Sequence, residues 1–505
     1  MAGGRPHSRA RTTDGCAGST AGRIPATSTC RQPSLIRARY CAAGFWYQHG
    51  TCDSNVGLIH STGNPVRLRT TAQVLEETVR SRPVRAVLVA AAALLAGLAV
   101  GPAQAAPQPA GGPPVTWTGD FKGVNWSDGR ADSNYETGRL VLSGFGGSED
   151  YATVKATSTR ILNAFHDTLG ANTVRLPVNP ATVNDPWWNT YKGTIDAATD
   201  LGMKVVLGYW EETPGGHHKG VVVNPANYVA MWNRVVQDYT NQPLVNFEPM
   251  NEPFGYADGV AKPPTCNTTI NDDSVLGDPR LCWTDVAARW LKVHPSINVN
   301  RVVISGTGYN TNVKFVAADP RLAGTLLSYH VYDFFPGCGV TNPQAPNPTE
   351  VRQVYDHCTH TMSNEIGSDA EKRTIVDEFG EFMYGVNANG IPQKDGNGNW
   401  LPGPNYDVPG DLGTNPVGNP CSPDFHVNSF QAVTNYIHDK QLGAIYWPGL
   451  WQDSTGFPNG YAIAVTGKST VDGSVVEQVN DQSGLDRLRY AWNLGNPVPL
   501  RSGVC

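Results

Sequence analysis

The sequence predicts an α/β fold, a single (β/α)8 TIM barrel with long βα-loop insertions, on three observations. Eight short apolar runs recur along the chain, amphipathic segments separate them, and several runs end on a residue able to do chemistry. The runs are Gly123 to Trp126, Thr173 to Pro177, Lys204 to Tyr209, Leu244 to Phe247, Arg301 to Ser305, Leu326 to His330, Thr374 to Asp377 and Gly443 to Trp447. Most are nearly continuously apolar, as strands covered on both faces of a parallel sheet are. Between them, Val154 to Leu169 carries Ile161, Leu162 and Phe165 on one face. Asn224-Pro225 reads as the cap and first-turn residue of a helix over Ala226 to Tyr239, and Trp283 to Val293 and Ser429 to Gln441 read as helices too. No GxGxxG follows the first run, which counts against an open sheet that binds a dinucleotide.

A net charge of −6 over 505 residues averages two unlike parts. Up to Ala105 there are 12 arginines, no lysine and 4 acidic residues, and the remainder is acidic. An acidic body argues against a nucleic-acid partner, because phosphate contacts need clustered Lys and Arg. Arg80, Arg82 and Arg85 precede the apolar run Ala86 to Val100, which closes with Gly101-Pro102-Ala103-Gln104-Ala105. This is a secretory signal pattern with cleavage expected after Ala105, and its run of about 15 residues falls short of the roughly 20 that span a membrane.

The expected organisation is therefore residues 1–78 as an early start or a disordered extension, 79–105 as signal peptide, 106–116 as linker and 117–505 as the barrel. The product is expected outside the cell, free of the membrane and monomeric. The six cysteines after Ala105 suit an oxidising compartment, and proximity favours Cys266 with Cys282 and Cys338 with Cys358, leaving Cys421 for Cys505.

Chemistry enters at the strand ends, where barrels of this kind carry their functional residues. The run Val245-Asn246-Phe247-Glu248-Pro249-Met250-Asn251-Glu252-Pro253 delivers a strand into a turn that presents Glu252. Thr374 to Gly380 does the same for Glu378, with Glu381 as its local rival, while Glu248 reads as a hydrogen-bonded barrel residue. Two carboxyls meeting at one face suggest glycoside hydrolysis. Arg175, His330, Tyr332 and Trp447 stand at or just beyond other strand ends.

With these residues in order, the chain resembles glycoside hydrolase family 5, the cellulase family of clan A. Gly123-Val124-Asn125-Trp126 is similar to the family's first strand, Arg175 to its second-strand arginine and Phe247 to Pro253 to its acid/base segment. Tyr329-His330-Val331-Tyr332 resembles its His-x-Tyr, Asp377-Glu378-Phe379-Gly380 its nucleophile segment and Ile445-Tyr446-Trp447 its last-strand tryptophan. The resemblance implies a retaining mechanism, with Glu378 as nucleophile and Glu252 as acid/base. It also implies that Asn251 meets the sugar 2-hydroxyl, that Arg175 and Tyr332 hold Glu378 ionised, that His330 binds substrate or positions Glu252, and that Trp126 and Trp447 serve substrate binding. Carbohydrate is the expected substrate, with no cofactor and no metal.

The third strand departs from the family, reading Leu207-Gly208-Tyr209-Trp210-Glu211-Glu212 where many members place a histidine. Trp210 and Glu211 are the candidates for that subsite, with His217 and His218 nearby. Three insertions, Phe254 to Cys282, Asp333 to Cys358 and Met383 to Asp424, are expected to project from the catalytic face, either as the walls of a pocket or beside an open cleft. A glucan- or mannan-type substrate is the simplest expectation. An exo-acting enzyme on a less common sugar such as a furanoside, and a non-catalytic carbohydrate-binding barrel, are the other two readings.

Overall fold

The computed structural model describes residues 118–129, 138–210, 219–259, 263–333, 338, 348–387, 390–407, 424–453, 455–468 and 475–495. The expected leader and linker, Glu211, His217, His218, Cys421 and Cys505 lie outside them. Eight parallel strands follow the chain: β1 Lys122–Trp126, β2 Thr173–Val178, β3 Lys204–Tyr209, β4 Val245–Glu248, β5 Val303–Ser305, β6 Leu326–Val331, β7 Thr374–Phe379 and β8 Gly443–Leu450. They pair in the order β4-β3-β2-β1-β8-β7-β6-β5, and a parallel bridge between Phe247 and Val302 joins the two ends. This is the expected (β/α)8 barrel.

One main helix follows each strand: α1 Tyr151–Ala164, α2 Trp188–Asp200, α3 Pro225–Tyr239, α4 Trp283–Val293, α5 Val313–Ala318, α6 Pro348–Ile366, α7 Phe425–Lys440 and α8 Gln482–Ala491. Asn224 caps α3 by accepting from the Asn227 N–H, with Pro225 in the first turn, so the expected start holds to the residue. The first helix is shorter than its apolar period predicts. After Ala164 the chain widens into a π turn, Phe165–Leu169, and stops at Gly170, whose φ of 88° ends the helix in the left-handed conformation.

The insertion expected from Asp333 to Cys358 is partly helix, since α6 begins at Pro348. Two disulfides pair as proximity favoured, Cys266 with Cys282 and Cys338 with Cys358. An unforeseen antiparallel hairpin, β9 Ala464–Lys468 and β10 Val475–Val479, extends from the end of β8. No described helix is long and apolar enough to cross a membrane.

The barrel interior changes character along its axis. Phe121, Val206, Val303, Leu326, Ile375 and Ile445 form a small apolar cluster of their own, separate from the larger core between strands and helices. Nearer the C-terminal ends of the barrel strands, the buried residues become Asn125, Arg175, Glu248, His330, Asp377 and Glu378. Burying so many polar groups is tolerated only when each is paired, so their hydrogen bonds define the site.

Candidate active site

Arg175 is the hub. Its guanidinium is 1 % exposed and all five of its N–H donors are used. Nε and Nη2 donate to Oε2 and Oε1 of Glu248 at 2.6 and 2.8 Å, a bidentate pair. Nη1 donates to Asn125 Oδ1 at 3.0 Å and to Glu378 Oε1 at 2.7 Å, and Nη2 also reaches Asn251 Oδ1 at 2.6 Å. The Asn125 amide is oriented by donating to the backbone oxygens of Asp377 and Tyr446 at 2.9 and 3.1 Å. Because Asn251 spends its oxygen on Arg175, its NH2 is the group it can offer a ligand.

A bulge explains how two consecutive acids on β7 both join this network. Tyr329 pairs with Val376 but His330 pairs with Glu378, so Asp377 is the extra residue. A regular strand sends neighbours to opposite faces, and the bulge re-aims Glu378 toward the side that Asp377 already occupies. Tyr332 Oη then donates to Glu378 Oε2 at 3.2 Å.

Glu252 arrives from the other side, on a turn where its φ is 49°, an uncommon conformation for a residue with a side chain. His330 Nδ1 lies 3.0 Å from Glu252 Oε1 and 3.4 Å from Glu378 Oε2. Carboxylate oxygens of Glu252 and Glu378 come within 4.8 Å of each other around that imidazole. Their exposures differ: the Glu252 side chain is 28 % exposed and that of Glu378 6 %.

The electrostatics follow from three carboxyls, Glu248, Asp377 and Glu378, sharing one fixed cation. Burial raises the Glu378 pKa above the ordinary glutamate value, although His330 and Arg175 pull it down. Arg175 is expected from the sequence to depress it; the charge is where that reasoning places it, and desolvation outweighs it. Burial likewise raises Glu248, opposed by Arg175 and reinforced by Asp377. At His330, burial pulls the pKa down while Glu378, Asp377 and Glu252 push it up, to about 10 on balance.

Aromatic rings stand beside the acids. Trp210, just past β3, stacks on Trp447 of β8 with centroids 5.5 Å apart, and Trp451 meets Trp447 edge-on at 5.9 Å. Trp447 keeps 9 % of its surface and Trp210 7 %, which restricts contact with a sugar to their edges in this conformation.

The cellulase profile (glycosyl hydrolase family 5) matches residues 135–408, more than half of the chain. The chain belongs to glycoside hydrolase family 5. It is therefore an O-glycoside hydrolase. A search of curated proteins finds no match to this glycosidase. Among solved structures, it is similar to the hyperthermophilic endocellulase of Pyrococcus horikoshii, at 17 % identity over 74 % of this chain and 92 % of that one, with a TM-score of 0.43. A lichenase from Caldicellulosiruptor sp. F32 gives 14 % identity over 77 % and 97 %, TM-score 0.42. A β-mannanase from Streptomyces thermolilacinus gives 14 % over 69 % and 82 %, TM-score 0.35.

Of the residues expected at the site of this family 5 enzyme, Arg175, Asn251, Glu252, His330, Tyr332 and Glu378 join one network, and Trp447 and Trp210 stand together as a stacked pair. Trp126 does not belong to the site. It is fully buried between Phe145, stacked at 5.8 Å, and Phe165, edge-on at 5.8 Å, and its indole N–H donates to Ser143 O at 2.9 Å. Strand alternation is the reason: Asn125 faces the lumen, so its neighbour faces the helices. Trp126→Ala is expected to destabilise the fold by ~3–5 kcal/mol in urea unfolding while KM stays unchanged.

Glu381 is also elsewhere. It sits against α7, 2.9 Å from His426 Nδ1 and accepting from Ser429 Oγ at 2.6 Å, in a cluster that Asp333 completes. Asn125, Asn310, Ser328 and Asp377 are site residues that the sequence reasoning passed over. The available signal was a polar residue inside an apolar strand for three of them, and none marked Asn310.

With Glu378 as the expected nucleophile, its raised pKa is expected to set the acid side of the pH profile. A nucleophilic carboxylate must be ionised, so kcat/KM is expected to fall with decreasing pH through a value above the ordinary glutamate range. Removing the hydrogen bond to the charged form in Tyr332→Phe is expected to move that limb to higher pH, which a kcat/KM profile reads directly.

Proposed function

We propose that this enzyme is a secreted, retaining glycosidase acting on a β-linked glucan- or mannan-type polysaccharide or oligosaccharide. The observation that carries the mechanism is the approach of Glu252 and Glu378 to within 4.8 Å. Retaining pairs stand about 5–5.5 Å apart, whereas inverting pairs leave roughly 6.5–9.5 Å for a water.

In the first step a Glu378 oxygen attacks the anomeric carbon as the glycosidic bond breaks, and the leaving oxygen takes a proton from Glu252. In the second, Glu252 removes a proton from water, which displaces Glu378 from the same carbon. The difference in exposure suits these roles, since the acid/base must exchange protons with solvent twice per cycle. Asn251 holds the sugar 2-hydroxyl through its NH2, and Arg175 with Tyr332 holds the departing carboxylate of Glu378. The substrate class rests on the family, whose profile is named for cellulases. Secretion rests on the arginine-led apolar run ending at Ala105.

Assay of the purified enzyme on mixed-linkage β-glucan, cellulose oligosaccharides, β-mannan and a set of aryl glycosides tests the substrate reading. Release of reducing ends from a β-glucan or β-mannan is the expected result. Turnover confined to a furanoside would replace it with the exo-acting alternative.

A further inference from the structure

Asn310 lies after β5, at the end of the single turn Thr307–Asn310, and is fully buried. Its φ of 56° is left-handed, a conformation asparagine tolerates better than most residues. The same turn carries Tyr309, whose ring stacks on Phe254 at 4.2 Å, two residues past the turn of Glu252. Asn310 Oδ1 accepts from the backbone N–H of Glu252 at 3.0 Å. Its Nδ2 donates to Ser328 Oγ at 2.5 Å and faces His330 Nε2 at 3.0 Å. Ser328 Oγ in turn donates to Asp377 Oδ1 at 2.5 Å.

These partners determine the amide's orientation. The Glu252 N–H can only donate, so the atom facing it is the oxygen and the atom facing His330 is the NH2. Asp377 Oδ1 also lies 3.5 Å from Nε2, but toward the nearer Asn310 NH2, Nε2 can only accept, which leaves the imidazole proton on Nδ1, 3.0 Å from Glu252 Oε1. We propose that Asn310 is a positioning residue that holds His330 as the neutral Nδ1–H tautomer and thereby aims the acid/base Glu252. With Oε1 occupied as acceptor, the acidic proton of Glu252 sits on Oε2. The ring closes on itself: Asn310 holds the Glu252 backbone, and His330, held by Asn310, holds its carboxyl.

The surrounding charge opposes this assignment, since on balance it raises the His330 pKa to about 10. The acids facing the imidazole, Glu252 after β4, Glu248 on β4, and Asp377 and Glu378 on β7, favour a second proton, while Arg175 on β2 disfavours it. Adding that proton without moving Asn310 sets two N–H groups against each other at 3.0 Å. Turning the amide instead sets its NH2 against the Glu252 N–H. Either arrangement loses a buried hydrogen bond, so the neutral tautomer is the satisfied one.

The proposal rests on Glu252 being the acid/base, but its test does not. Imidazole-detected 15N–1H spectra of the histidine-labelled enzyme at pH 7, with the His330 signal assigned by its loss in His330→Gln, read the tautomer directly. The expected wild-type result is an unprotonated Nε2 and a protonated Nδ1. Asn310→Asp, whose carboxylate accepts from both neighbours, is expected to add the Nε2 proton and lower kcat about tenfold with little change in KM, while Asn310→Ala frees the tautomer. A doubly protonated or Nε2–H imidazole in the wild type would overturn the proposal, as would an Asn310→Asp spectrum identical to wild type. Should the variants not fold, the wild-type spectrum alone decides. Azide rescue of Glu252→Ala tests the acid/base assignment separately.

Discussion

Glu378→Gly is expected to lower kcat by on the order of 10⁴-fold or more on every substrate, since it removes the carboxylate proposed to form the covalent intermediate. Azide supplied to this variant should restore turnover of activated aryl glycosides. It attacks from the face that Glu378 leaves empty, so the product is the glycosyl azide of inverted configuration. A loss of activity through misfolding is separated by Glu378→Gln, whose side-chain oxygen still accepts from Arg175 Nη1, 2.7 Å away in the wild type. This variant should be as inactive and keep the wild-type urea midpoint. Turnover near the wild-type level in either variant would remove Glu378 from its assigned role.

The second large effect is on stability. Arg175→Ala withdraws five donors from a region with 1 % exposure and leaves Glu248, Asn125, Asn251 and Glu378 facing one another. Stranding buried charge in this way costs ~3–5 kcal/mol, more than most single substitutions. Urea unfolding should show a lower midpoint with an unchanged slope. Activity should vanish as well, because the cation that lowers the Glu378 pKa is gone. Arg175→Lys tests geometry against charge: the ammonium keeps the positive charge, but it cannot form the planar bidentate bond to Glu248 while also reaching three other residues. It should therefore recover part of the stability and little of the activity.

The architecture was legible because parallel strands buried on both faces leave continuous apolar runs. β3 begins and ends where the run from Lys204 to Tyr209 does, and α4 matches its apolar segment. The proximity of the two candidate acids, Glu252 and Glu378, was legible for a different reason: each follows an apolar run in a barrel, where function gathers at strand ends.

What escaped depended on local departures from regularity. The bulge at Asp377 extends β7 to Phe379 and turns Glu378 inward, and no alternation pattern announces it. Trp126 was misplaced by weighing the strand's likeness to the family above its own alternation, which opposes it to Asn125. The balance at Glu378 needed burial as well as neighbours, and burial is a property of the folded site. Asn310 carries no periodic signal, since a left-handed residue after a three-residue strand belongs to neither pattern.

The central claim is that Glu252 and Glu378 act in double displacement, and the configuration of the first-formed sugar tests it most directly. Hydrolysis of a β-linked oligosaccharide or aryl β-glycoside followed by 1H NMR from the first minutes, before mutarotation equilibrates the product, resolves the two anomers. The β-anomer appearing first, with the α-anomer growing in later, is the expected result. Initial release of the α-anomer would mean a single inverting displacement and would contradict the assignment of Glu378 as nucleophile.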